Sequence, residues 1–221
     1  MLKAVVFDLD GTLTSIAFDY KKAKTEVLSF LVSSGVSERL LDEAKSIYLN
    51  IEAAVGYIKK EFGEDRAREI RRKAFEIVDS YERQEIGKTF LNDGALSLIH
   101  CIKSKGIKVA VCTNNSSYTA LSILRDLNLL DLIDVIVTRD DVERLKPYPD
   151  PLLLVCSKLK ISPSESLFVG DSLVDLLAAK AAGTKFVLIS KGSIPQASEA
   201  NEDFVFEKVS SLNEVKKFVG C

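Results

Sequence analysis

The 221-residue sequence has no Trp, one Met, one His and two Gln. The single His100 lies in "LSLIHCIKSKG", and its only nearby Cys is the direct neighbour on a predicted helix. A zinc site or a His-based triad therefore lacks partners, and any acid–base chemistry must come from carboxylates. An excess of charge of one sign is also missing, with 30 Lys and Arg against 32 Asp and Glu. A nucleic-acid partner would require a basic surplus on some face. The cluster from Arg66 to Lys73 is interleaved with acids, as on a solvated helix face. No apolar run approaches the ~20 residues of a membrane span. The first residues show neither a basic leader nor a cleavage site, so a soluble, cytoplasmic protein is expected, with no membrane or nucleic-acid partner. Cys101, Cys112, Cys156 and Cys221 show no C-x-x-C spacing, which predicts four free thiols in a reducing compartment. The shortage of Trp, Met and Gln is compatible with a thermophilic source.

What is present divides into two unlike parts. From Lys88 onward, β-branched runs ("IKVAVCT", "LIDVIVT", "SLFVGD", "KFVLIS" and a weaker "DFVFE") alternate with segments of helical periodicity. One of these, "LVDLLAAKAAG", closes on Gly183, a predicted helix C-cap. The pattern predicts a Rossmann-like, mostly parallel α/β sheet with helices on both faces, joined by an opening strand over Lys3 to Asp8. Residues 15–87 carry no convincing strand and three helical stretches, about Tyr20–Ser34, Ser37–Val55 and Glu64–Ile86. That is too long for one crossover. It predicts an all-helical inserted domain at 15–87 within a core formed by 1–14 and 88–221.

"VVFDLDGTLT" runs a buried strand straight into Asp8 and Asp10. A simple strand-to-turn transition is one reading. An EF-hand loop would need further acids before its glycine, whereas Gly11 follows Asp10 at once. On the functional reading, residues two apart in an extended chain share one side. Gly11 then lets the backbone pass close to an anion. Three later segments follow strands in the same way. "VAVCTNN" supplies Thr113, whose hydroxyl and neighbouring amides could bind phosphate. "RLKPYPDP" supplies Lys146, and "LFVGDSLVD" supplies Asp171 and Asp175. Singly, Thr113 or Ser116 could be a helix N-cap, Lys146 a surface lysine, and the Asp171–Asp175 pair a helix N-terminus. Together they would converge beyond the carboxyl ends of the strands, where open parallel sheets build their sites.

The ordered set D-x-D-G-T, a strand-ending Thr, Lys before Pro, and G-D-S-x-x-D resembles the haloacid dehalogenase-like hydrolases over essentially the whole chain. The resemblance implies a helical cap of the C1 type after the first motif. It makes Asp8 the nucleophile, Asp10 the acid–base and Thr113 and Lys146 the charge-stabilising groups. Mg²⁺ would be held by Asp8, the Asp10 carbonyl and Asp171, with Asp175 bonded to Lys146 or reaching the metal through water. Gly11, Thr113, Asn114 and Lys146 would contact substrate. An acid at position 10 favours phosphate chemistry, since dehalogenases and P-type pumps lack it. The expected activity is hydrolysis of a small phosphorylated metabolite, similar to phosphoglycolate phosphatases. A sugar phosphomutase and an inorganic pyrophosphatase are alternative activities on the same core, and a non-catalytic binding protein is an alternative of another class. Lys21, Lys22 and the Gly56–Tyr57 turn are candidate cap contacts, with exposed lysines the plainer reading. Nothing in the sequence fixes the oligomeric state.

Overall fold

The computed structural model describes residues 1–15, 19–190, 204 and 206–221. The chain divides into two compact units, Met1–Ile16 with Gly87–Cys221, and Ala17–Ile86.

The first unit holds a six-stranded, all-parallel sheet: β1 (Ala4–Phe7), β2 (Lys108–Cys112), β3 (Val135–Val137), β4 (Ser166–Gly170), β5 (Lys185–Ile189) and β6 (Glu207–Val209). The spatial order is β3-β2-β1-β4-β5-β6, so β1 is central. Val5 pairs with Val109 on one side and Leu167 on the other. Helices cover both faces because strand side chains alternate. Val5, Phe7, Val109, Val111, Leu167 and Val169 pack against α4 (Ala95–Ser104), α5 (Ser117–Asp126) and α8 (Leu212–Val219). Val6, Ala110, Cys112, Phe168 and Phe186 pack against α6 (Asp150–Leu159) and α7 (Leu173–Ala182). Gly183 ends α7 in the left-handed conformation, as its position predicts. The weak strand expected at "DFVFE" begins later, at Glu207; Asp203 and Val205 lie outside the described residues.

The second unit packs α1 (Tyr20–Ser33), α2 (Ile47–Phe62) and α3 (Glu64–Glu82) around Val27, Leu31, Ile51, Ile58, Ile70 and Val78. The predicted helix over Ser37–Val55 is replaced by a single 3-10 turn at Glu38–Leu40 and a helix that starts at Ile47. Buried Asn50 explains the late start. Its side chain accepts from the Asp42 N–H at 2.7 Å and donates to the Asp42 and Ser46 carbonyls at 2.9 and 3.0 Å. The loop thus folds back on the helix. Gly56 lies inside α2, so the Gly56–Tyr57 turn does not form; Gly63 ends the helix instead. The stretch to Ile86 finishes as a 3-10 turn over Arg83–Glu85. On α3, Arg66–Glu69, Arg72–Glu76 and Lys73–Glu69 pair on an exposed face, as the interleaved charges predict.

The expectation of four free thiols is corrected. Cys101 of α4 and Cys221, just beyond α8, form a disulfide with Cα atoms 6.2 Å apart, while Cys112 and Cys156 are free and buried. The fold brings together two cysteines that are 120 residues apart in sequence. Among the described residues, no helix is long and apolar enough to cross a membrane.

Candidate active site

Each strand of the central trio ends by handing one polar residue to the same edge of the sheet. The Asp8 N–H donates to the Val169 carbonyl at 2.9 Å, and the Thr113 N–H to Val137 at 3.0 Å. The ladder therefore runs one residue past β1 and past β2, so both side chains start from fixed backbone. Asp171 follows Gly170, the last residue of β4. Lys146 arrives from the segment between β3 and α6.

Lys146 Nζ lies 2.6 Å from Asp8 Oδ1 and 2.6 Å from Asp175 Oδ1, with all three residues buried. The surface-lysine reading of Lys146 is thereby set aside, as it is only 3% exposed. Burial alone would lower its pKa, but the Asp175 and Asp8 carboxylates hold it well above the usual lysine value. Asp8 is pushed well above the carboxylate range, chiefly by burial; Lys146 opposes this, and Asp175 and Asp171 add to it. Asp171 is pushed up to about 7 by burial and by repulsion from Asp175. Carboxylate oxygens of Asp8, Asp171 and Asp175 all lie within 4.8 Å of one another. One ammonium facing three carboxylates leaves the cluster short of positive charge. Its donors are all hard oxygens, the set that suits a small divalent cation.

Asp175 serves two readings at once. It is the third residue of α7, and the Ser172 hydroxyl accepts from its N–H at 3.3 Å. Its Oδ2 in turn accepts from the Ser172 hydroxyl at 2.5 Å, so both its oxygens are engaged. The N-cap of α5 is Ser116, not Thr113. Thr113 Oγ1 accepts from the Asn115 N–H at 3.1 Å and stays at the strand end. The side chain of Asn114 spans to the main chain of Lys146, donating to its carbonyl at 3.0 Å and accepting from its N–H at 3.1 Å. This fixes where the lysine leaves the backbone.

The loops after β1 and β2 are held by residues the motifs do not name. Asn92, just before α4, donates to the Thr12 and Thr14 carbonyls at 2.9 and 3.0 Å. Buried Arg139 donates to the Asn114 carbonyl at 3.1 Å. Asn115 Nδ2 donates to Asp10 Oδ2 at 2.7 Å. Only the place of Asn115 two residues after Thr113 could have marked it in the sequence; Asn92 and Arg139 carry no local signal. Gly11 sits at φ +84°, and a Cβ there would fall 2.3 Å from Asp171 Oδ2. The loop can approach the acid only because the position is glycine.

Residues 2–183 match the family model described as haloacid dehalogenase-like hydrolase. A phosphoglycolate phosphatase of Nitrosospira multiformis is 33% identical over 194 residues, covering 86% of this chain and 84% of its own. An N-acetylmuramic acid 6-phosphate phosphatase of Pseudomonas aeruginosa is 32% identical over 194 residues, 87% of this chain and 84% of its own. The crystal structure of a β-phosphoglucomutase from Clostridium difficile shares the fold, with a TM-score of 0.67 at 20% identity over 100% of this chain and 96% of that one. With the matching model spanning most of the chain and the motif residues gathered at one edge of the sheet, this protein belongs to the haloacid dehalogenase-like hydrolases.

Proposed function

We propose that the protein is a magnesium-dependent phosphatase that hydrolyses the phosphate monoester of a small metabolite through an aspartyl-phosphate on Asp8. The observation that carries this reading is the Asp8–Lys146–Asp175 bridge, 2.6 Å on each side, beside Asp171. A carboxylate must approach a negatively charged phosphate, and a fixed ammonium lowers that repulsion. Asp8 Oδ attacks phosphorus as the ester P–O bond breaks, and the leaving alkoxide takes a proton from Asp10. Asp10 then accepts a proton from water, whose oxygen attacks phosphorus while Asp8 departs as carboxylate. The sum is ester plus water to alcohol plus phosphate. Thr113 and the neighbouring amides hold the equatorial oxygens. Asp8, the Asp10 carbonyl and Asp171 would hold Mg²⁺, which supplies charge neutralisation at the transferring group. Asp175 orients Lys146. The helical unit inserted after Thr14 is assigned the role of a cap that contributes substrate contacts.

The two relatives named above act, by their names, on phosphorylated organic acids, which supports beginning a substrate search with that class. Purified protein is expected to release phosphate from p-nitrophenyl phosphate with Mg²⁺ and to stop with EDTA. Asp8→Asn is expected to lower turnover by on the order of 10³-fold or more while the thermal midpoint holds. Wild-type turnover by that variant would remove Asp8 as nucleophile.

A further inference from the structure

The side chain of Asp10 is gripped from two directions. Thr14, from its own loop, shares its one hydroxyl proton between the Leu9 carbonyl at 3.1 Å and Oδ1 at 3.3 Å, and Asn115, 105 residues away, donates Nδ2 to Oδ2 at 2.7 Å. The short bond is the one from the loop after β2. Asn115 is only 4% exposed, and its main chain is tied on both sides. Its N–H donates to Thr113 Oγ1 at 3.1 Å, and its carbonyl accepts from the Arg139 N–H at 2.9 Å. A primary amide facing a carboxylate meets it with its NH₂ end, which leaves Oδ1 as the oxygen to carry the proton when Asp10 acts as the acid. An amide neither gives nor takes a proton at this job. It can only hold.

We propose that Asn115 is a positioning residue for the reaction, locking the Asp10 carboxyl to the β2 loop that carries Thr113. The inference rests on the reading of Asp10 as the acid–base. Phosphate-oxygen contact and proton delivery then belong to one rigid piece, since the same three-residue segment carries Thr113 at one end and Asn115 at the other. The geometry sets where the Asp10 carboxyl sits relative to the leaving oxygen, and near-attack placement of this kind governs rate more than binding.

The experiment separates this role from a merely structural one by leaving group. An alkoxide needs the proton from Asp10; a nitrophenolate leaves without it. Glycerol 2-phosphate and p-nitrophenyl phosphate are compared by kcat/KM, which reports steps only through the first irreversible one. For Asn115→Ala, kcat/KM on glycerol 2-phosphate is expected to fall by about 10- to 100-fold. On p-nitrophenyl phosphate the fall should stay within about threefold, a ratio set by the same proton-transfer contribution. Asn115→Ser, which retains a donor and a small volume, should recover part of the alkyl-ester loss. It also serves if the alanine variant folds poorly. In an Asp10→Asn background, Asn115→Ala should have no further effect, because a residue acting only through Asp10 has nothing left to act on. Equal losses on both esters, losses below twofold on both, or full additivity with Asp10→Asn would overturn the proposal. Wild-type protein that turns over neither ester with Mg²⁺ would sink the phosphatase reading, and this inference with it.

Discussion

At the residue scale the site is a problem of charge in a dry place. Lys146 is buried with two carboxylates at 2.6 Å, so losing the lysine would leave both buried acids uncompensated, whereas losing one acid leaves a matched pair. The backbone must also come close to two of the acids, Asp171 and Asp175, and a glycine permits each approach. A Cβ at Gly170 would lie 2.5 Å from the Cβ of Asp175, and one at Gly11 would lie 2.3 Å from Asp171 Oδ2. The Gly11 case has two separable costs. Its φ of +84° strains any L-residue, and the added methyl forces the Asp171 carboxyl to turn away. Gly11→Ala is therefore expected to cost about 1–3 kcal/mol of stability. It should also raise the Mg²⁺ concentration for half-maximal turnover, since a displaced carboxylate is a poorer ligand. Thermal unfolding measures the first and a Mg²⁺ titration of activity the second. An unchanged titration in a destabilised variant would show that Asp171 is not a ligand.

At the scale of elements, a short edge strand needs an anchor. β3 has three residues and is placed by Asp134, which accepts from the Val109 N–H and from Lys108 Nζ, both at 2.9 Å. Burial works to raise the Asp134 pKa, but the Val109 N–H and the lysines hold it below the usual carboxylate value. A depressed folded pKa means that its contribution is whole above about pH 3.9 and is lost as pH falls through the folded value. Asp134→Asn should thus cost about 1 kcal/mol at neutral pH, a figure discounted for the exposed Lys108. Urea midpoints of the two proteins should converge towards pH 3, and a gap that stays constant with pH would exclude the carboxylate as its source. This anchor was not readable from "LIDVIVT", although the strand was. Parallel strands buried on both faces write themselves as apolar runs, and the motif acids stand directly behind them. The helix start at Ile47 was not readable, because it depends on what Asn50 does with a loop that periodicity cannot see. Asn115 was hidden for the same reason: its partner lies in the loop after β1, far away in sequence.

The whole molecule is closed by a bond that no local pattern announces. α8 buries Leu212, Val215 and Val219 in the same apolar cluster as Leu98, Ile99 and Ile102 of α4. Cys221 follows α8 by two residues, and its bond to Cys101 fixes the chain end to α4. Spacing alone gave no sign of it, because a 120-residue separation matches no short motif. Disulfides are rare in the cytosol of mesophiles and common inside hyperthermophiles, the direction in which the scarcity of Trp, Met and Gln also leans. Closing so long a loop restricts the unfolded chain, worth about 5 kcal/mol on the chain-entropy model and about 2–4 kcal/mol in typical measurements. For a chain of this size that corresponds to a drop in thermal midpoint of about 5–15 °C on reduction or in Cys221→Ser. Denatured, unreduced protein should titrate as two thiols, Cys112 and Cys156, and as four after reduction. The apolar α4–α8 contact survives reduction, so the loss should appear as lower stability with activity retained at ambient temperature. Four thiols before reduction, with a midpoint indifferent to reductant, would show that α8 is held by packing alone.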